Sequence, residues 1–221
     1  MKITYESFSE TGRRSDNQDY TKVVENPGTG AISFILCDGM GGHVMGGMAS
    51  KIITTSIAKD LQKSSPKKIE DFVSILAKAS DTLDTMGEIY GGAHMGTTLV
   101  LAHLDGDRLT VIHSGDSRCY VYSSDKNLRY RTEDHNEDGF LTRCFVSGYP
   151  EKAMPEVKTI QIQKGDRILL CSDGVYPSMA PDILRDRLMD EKPLADIMDT
   201  FKFMCEKFSH DNYSAILVKI D

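Results

Sequence analysis

The chain reads as an α+β fold, and three observations predict it. Short apolar runs recur along its 221 residues, and several are joined by tight turns of the hairpin kind. Two long helical patterns follow one another instead of alternating singly with strands. Two shorter helical patterns come together again near the last strand. Strands in hairpins with paired helices between them give α+β, not a series of βαβ units.

Each element has a local reason. Ile3 to Phe8 alternates as a half-buried strand does. Thr11 to Asp19 is a polar loop, and Tyr20 to Val24 is a second strand. Asn26-Pro27-Gly28-Thr29-Gly30 is a turn. Ala31 to Cys37 is apolar and short, the pattern of a central strand buried on both faces. Ile52, Ile53, Ile57 and Leu61 then recur at helical spacing over Met48 to Leu61. Ser64-Ser65-Pro66 breaks that helix, with Ser65 as cap and Pro66 as first residue of the next. Ile69, Phe72, Val73, Leu76, Ala79 and Leu83 mark this second helix, ending near Gly87. The two helices are expected to pair and cover one face of a sheet.

The β-rich stretch begins with Gly96 to His103, which turns at Asp105-Gly106-Asp107 into Leu109 to His113. Cys119 to Ser123 pairs with Leu128 to Thr132. Val157 to Ile162 and Arg167 to Cys171 read as a further hairpin across Lys164-Gly165-Asp166. Helical patterns cover Ile183–Met189 and Leu194–Phe208, and Tyr213 to Ile220 is the last strand.

Composition narrows the function classes. A hydrophobic content of 40% and a charged content of 27% belong to a globular chain with one sizeable core. The formal charge of -7 argues against nucleic acid or an anionic membrane as partner. It leaves phosphate chemistry open, because bound cations reverse the local sign. The five cysteines form no C-x-x-C, and Cys37 and Cys171 sit in apolar strands, as buried reduced thiols do. The first residues lack the apolar centre of a signal peptide, and no apolar run reaches the roughly 20 residues of a membrane span. A cytoplasmic chain is expected.

Two apolar runs end in the same way: Ala31 to Cys37 in Asp38-Gly39, and Arg167 to Cys171 in Ser172-Asp173-Gly174. A carboxylate at a strand end, beside a glycine that lets backbone approach, is a way to hold a metal ion against rigid structure. Asp19, Asp116 and Asp211-Asn212 are further acidic positions at strand ends. Such ligands suit hard cations such as Mg²⁺ or Mn²⁺, and the scattered histidines lack the spacing of a zinc site. Asp38 could bridge two ions with the Gly39 carbonyl as a further ligand, and two ions could activate a water for in-line attack at phosphorus. Arg14 could hold the phosphate by a bidentate contact. Plainer readings stand beside these. Asp-Gly is also a common hairpin turn, and Asp105-Gly106 is read as that alone. Taken singly, Asp38 and Asp173 serve equally well as turn residues. Asp211 could cap a strand or turn, Arg14 could be a solvated charge, His43 could be a polar group at a helix start, and His94, His103 and His113 are read as structural. Met40, Met45 and Met48 are read as packing near the helix start.

The pieces Arg14-Ser-Asp-Asn-Gln-Asp19, Asp38-Gly-Met-Gly-Gly-His43, Gly96-Thr-Thr98, Gly115-Asp-Ser-Arg118, Thr132-Glu-Asp-His135, Leu141-Thr-Arg143, Ser172-Asp-Gly174 and Asp211-Asn212 occur in order over almost the whole chain. This ordered set resembles the PPM family of metal-dependent serine/threonine protein phosphatases (type 2C-like) in its bacterial-style form. The resemblance implies a four-layer α-β-β-α sandwich, two mostly antiparallel sheets flanked by helix pairs, in one domain over 1–221. It implies two Mn²⁺ or Mg²⁺ ions at one end of the sandwich, and phosphorylated proteins as substrates; a monomer is expected. Asp19 would hold a metal-bound water, Asp38 would bridge the ions, and the Gly39 carbonyl would bind one. Asp173 and Asp211 would complete the second site, and Asp116 would help hold a third, weaker ion. Arg14 would bind the substrate phosphate. His43, at the end of the glycine motif, is the candidate general acid.

Three departures from the family pattern are visible. Phe140-Leu-Thr-Arg143 follows Asp134-His135 almost at once, so the flap beside the site is expected to be shortened to about 134–142 and the site more open. Pro177 stands where the family often has an acidic residue. Gly46-Gly47 stands where Gly-Glu is common. The rival class is a non-catalytic binding or sensor module on the same fold, and a phosphatase of small metabolites is a third. Retention of every core carboxylate favours the protein phosphatase.

Overall fold

The computed structural model describes residues 1–40, 45–64 and 66–221. The chain begins with β1 (Ile3–Glu10), β2 (Asp19–Glu25) and β3 (Ile32–Asp38), then α1 (Gly46–Lys63) and α2 (Ile69–Ile89). The β-rich stretch contains β4 (Gly96–Thr97), β5 (Leu99–Asp105), β6 (Arg108–Ser114), β7 (Arg118–Tyr122), β8 (Leu128–Arg131), β9 (Asn136–Glu137), β10 (Phe140–Leu141), β11 (Phe145–Val146), β12 (Glu156–Gln161) and β13 (Arg167–Cys171). Helices α3 (Pro181–Leu188) and α4 (Leu194–Phe208) precede β14 (Tyr213–Ile220).

Two five-stranded antiparallel sheets carry the fold, one ordered β1-β14-β13-β7-β8 and the other β12-β6-β5-β3-β2. Three apolar layers bind them into four. Between the sheets lie Phe34, Leu36, Val100, Val111, Val121, Leu170, Ile216 and Val218. The next residue along several of these strands faces outward: Ile35, Leu101 and Ile112 pack under Ile53, Ile57 and Leu61 of α1 and Phe72, Leu76 and Leu83 of α2. On the far side Leu169, Cys171 and Leu217 pack under Leu184 of α3 and Ile197 and Phe201 of α4. A strand apolar on both faces reads as an unbroken apolar run, and each large side chain so buried stabilises by about 1.5–3 kcal/mol. The expected α-β-β-α sandwich is therefore built by period-2 alternation between two cores. All five cysteines are free and buried.

Three sequence expectations need correction. The stretches 157–162 and 167–171 are not a hairpin: β12 pairs with β6 in one sheet, and β13 sits between β7 and β14 in the other. β13 is buried throughout and needs a neighbour on each side, whereas β12 exposes one face and closes an edge. The turn between them crosses from sheet to sheet, and Asp166 Oδ2 accepts from the Gln163 N–H and from Arg129. The second helix starts at Ile69, not Pro66, because Asp71 Oδ2 accepts the backbone N–H groups of Lys67 (2.9 Å) and Lys68 (3.0 Å). Ser65 lies outside the described residues. The run from Gly96 is broken after Thr97, where β4 leaves to pair with β11.

Candidate metal centre

The acidic residues meet because antiparallel pairing brings strand ends together. Asp19 opens β2 and Asp38 ends β3, and they are direct register partners. Asp173 follows β13, and Asp211 precedes β14, its antiparallel neighbour. Asp116 sits in the loop from β6 to β7, which joins the two sheets. Arg14, Asp38, Gly39, Asp116, Asp173 and Asp211 line one cleft of about 230 Å³, together with Gln18, Met40, Thr98, Leu141 and Asn212. Asp19 is buried immediately behind it, 5% exposed. His43 lies outside the described residues.

Hydrogen bonds fix the backbone that carries Asp38, the Arg14 loop and the Asp19 carboxylate. The Asp38 N–H donates to Thr98 Oγ1 (3.1 Å), and its carbonyl accepts from the Thr98 N–H (2.8 Å) and from Thr97 Oγ1 (2.8 Å). Thr98 Oγ1 also pairs with Ser117 Oγ at 2.8 Å, which ties Asp38 to the loop of Asp116. Asn212 staples the Arg14 loop: Oδ1 accepts from the Gln18 N–H (2.9 Å), and Nδ2 donates to the carbonyls of Thr11 and Asp16, both at 2.7 Å. Ser172 Oγ donates to Asp19 Oδ2 at 2.8 Å.

The glycines after Asp38 and Asp173 separate ligand from turn. A Cβ on Gly39 would lie 2.3 Å from the Gly46 carbonyl carbon and 2.8 Å from the Gln18 oxygen. A Cβ on Gly174 would lie 1.9 Å from the Asn212 oxygen. Neither glycine has the positive φ of a hairpin turn; both are needed because other backbone passes against them. Asp105-Gly106 is the contrast, a true hairpin turn with φ of 64° at Gly106.

The electrostatics call for cations. Burial, then repulsion from Asp19, Asp173 and Asp116, raises the Asp38 carboxyl well above the ordinary range. Burial with repulsion from Asp116 and Asp211 pushes Asp173 up to about 7. Burial also raises Asp19 and Asp116. Among the described residues no hydrogen-bond donor faces the buried Asp19 Oδ1. Arg14 is the cation at this cleft among the described residues, and its Nη2 donates to Asp211 Oδ2 at 2.7 Å. Crowded carboxylates with an unpaired buried oxygen are a poor arrangement for a stable fold alone and an apt one for hard divalent ions, whose preferred donors are these oxygens.

Some members of the site left little mark in the sequence. Gln18, Thr98, Ser172 and Asn212 appeared there as parts of motifs without a task. Bonds between residues 60 to 201 apart in the chain have no sequence periodicity to betray them.

Comparison with known proteins gives a consistent picture. The sequence profile of the family described as "Protein phosphatase 2C" matches residues 9–220. The "Protein phosphatase PhpP" of Streptococcus pneumoniae is 29% identical over 233 residues, covering 95% of this chain and 94% of that protein. The "Serine/threonine phosphatase stp" of Listeria monocytogenes serovar 1/2a is 28% identical over 240 residues, covering 94% and 92%. Among solved structures, the S. agalactiae serine/threonine phosphatase superposes with a TM-score of 0.86 at 23% identity over 100% of both chains. The catalytic domain of PstP, solved with two manganese ions, gives 0.85 at 22% identity over 99% of both.

Proposed function

Because the chain belongs to the protein phosphatase 2C family, we propose that it is a metal-dependent enzyme that removes phosphate from phosphoserine and phosphothreonine in proteins. The observation that carries this is the meeting of Asp38, Asp116, Asp173 and Asp211 at one cleft, with the unpaired Oδ1 of Asp19 buried behind it. Asp38, the Gly39 carbonyl, Asp173 and Asp211 would hold two Mn²⁺ or Mg²⁺ ions, with Asp19 in the outer shell and Asp116 toward a third, weaker ion. Bound there, the ions supply Lewis-acid charge that lowers the pKa of water and offsets the charge of the phosphoryl group.

The chain's own residues do the rest. Arg14 presents its guanidinium to the phosphate oxygens, and Asp211 steadies it through the 2.7 Å bond. Thr97 and Thr98 keep the Asp38 carbonyl and N–H occupied, so the carboxylate stays turned to the cleft. Leu141 on the short β9–β10 ribbon lines the cleft mouth. We read 134–142 as the shortened flap of a single phosphatase domain over 1–221, leaving the site open to a protein chain. His43 is assigned the proton for the leaving serine or threonine oxygen on the family resemblance. Among the described residues no helix is long and apolar enough to cross a membrane, and we place the enzyme in the cytoplasm as a monomer.

The test is hydrolysis of a phosphoserine peptide and of an aryl phosphate with Mn²⁺ against EDTA. Activity is expected with Mn²⁺ and lost with chelator. Asp38→Asn is expected to lower it at least about 100-fold with the fold retained. Wild-type turnover by that variant would sink the proposal.

A further inference from the structure

Beside the cleft, three side chains form a cluster that the reading above leaves unused. His113 on β6 and Glu156 on β12 are direct cross-strand partners. His135 stacks on His113 with ring centroids 4.4 Å apart and planes at 29°. His113 is 1% exposed, and among the described residues neither of its ring nitrogens has a hydrogen-bond partner. The ligand atoms of His113, His135 and Glu156 lie within 4.8 Å of one another, close enough to suggest a second metal site.

The hydrogen bonds point elsewhere. The Gly115 N–H donates to His135 Nδ1 at 3.2 Å, and the His135 N–H donates to the Gly115 carbonyl at 2.9 Å. Burial holds His135 below its ordinary pKa and takes His113 down to about 4, and an Nδ1 that accepts an N–H leaves the His135 ring neutral. In a neutral ring whose Nδ1 accepts, Nε2 carries the proton. That proton faces Glu156 Oε2, 3.6 Å away. A nitrogen that keeps its proton is no metal ligand.

The same bonds grip both backbone groups of the residue next to Asp116. The His135 carbonyl also accepts from the Thr142 N–H at 2.9 Å, closing the ribbon that carries Leu141 into the cleft. Arg118, at the other end of the loop, makes paired bonds of 2.8 and 2.7 Å to Asp134, the residue before His135. The segment 134–135 therefore clamps the Asp116 loop from both sides.

We propose that His135 is the positioning residue for Asp116: its side chain and backbone hold Gly115, and through it set the Asp116 carboxylate toward the cleft and tie it to the ribbon at the cleft mouth. His113 is the plate against which the His135 ring is stacked. This rests on the metal-dependent reading of the cleft.

The test compares His135→Ala with His135→Asn, whose Oδ1 can stand where Nδ1 stood and accept from Gly115. Three readouts are taken on wild type and both variants: amide hydrogen exchange at Gly115 and Asp116, Mn²⁺ binding by electron paramagnetic resonance, and kcat and KM for an aryl phosphate. In His135→Ala, Gly115 exchange is expected to rise at least about tenfold. The weakest Mn²⁺ binding should fall about 10–100-fold, as for loss of an outer-shell support, and kcat should fall with KM little changed. His135→Asn should recover most of each. Unchanged Mn²⁺ binding in a folded His135→Ala, or His135→Asn as defective as His135→Ala while equally stable, would overturn the proposal. An inactive wild type would instead refute the phosphatase reading, while exchange and Mn²⁺ binding still decide the clamp.

Discussion

Replacing Asp173 by Asn should stabilise the metal-free protein, and the gain should depend on pH. Asp173 is pushed from 3.8 to about 7 by burial and by the carboxylates around it. Between those values the folded state holds a proton that the unfolded state has lost, so stability falls as pH rises through this window. Above about pH 7 the cost is complete, and a rise of about three units corresponds to about 4 kcal/mol. The Asn amide, equally buried, takes back part of this at about 1–3 kcal/mol. A net gain of about 1–3 kcal/mol raises Tm by roughly 3–9 °C in a chain of this size. The assay is thermal unfolding in EDTA at pH 4.5 and pH 8. At pH 4.5 the shift costs wild type only about 1 kcal/mol, so the variant should match it or fall up to about 2 kcal/mol below; at pH 8 it should exceed it. With Mn²⁺ the order should reverse at pH 8, because ligand binding to the folded state stabilises wild type more. A variant less stable than wild type at pH 8 in EDTA would refute the reasoning that these carboxylates repel one another until cations arrive.

Three further outcomes follow from named contacts. Gly174→Ala forces a Cβ to within 1.9 Å of the Asn212 oxygen; urea unfolding should show a loss of about 1–3 kcal/mol, and a loss under about 0.5 kcal/mol would contradict the close approach. Asn212→Ala removes three hydrogen bonds from the loop of Arg14; about 2–4 kcal/mol of stability should go, with KM for a phosphopeptide rising more than kcat falls. Arg14→Ala should raise KM for the same peptide by about 10–100-fold, the worth of a charge-assisted contact; Arg14→Lys should restore little of it, since an ammonium cannot reproduce the planar fork, and full rescue by Lys would argue against bidentate binding.

The local pattern already contained the long strands, the helices and the strand-end carboxylates, but not the two-residue strands β9, β10 and β11. Whether a run such as Ile168-Leu-Leu170 is apolar on both faces is decided by neighbouring residues, and alternation and helical spacing are short-range properties that survive in one dimension. The family motifs extended this to the four layers and to the acidic set of Asp19, Asp38, Asp116, Asp173 and Asp211. Tertiary structure alone decided the partners. A Lys-Gly-Asp turn looks the same whether its strands pair with each other or part into two sheets, and the number of buried faces on β12 and β13 settled that. It also decided why Gly39 and Gly174 are glycine, since the backbone that crowds them arrives from distant segments. The staple of Asn212 and the grip of His135 on Gly115 belong to the same class. Such bonds depend on which chain ends meet in space, and free energy of that kind is written in coordinates, not in the order of residues.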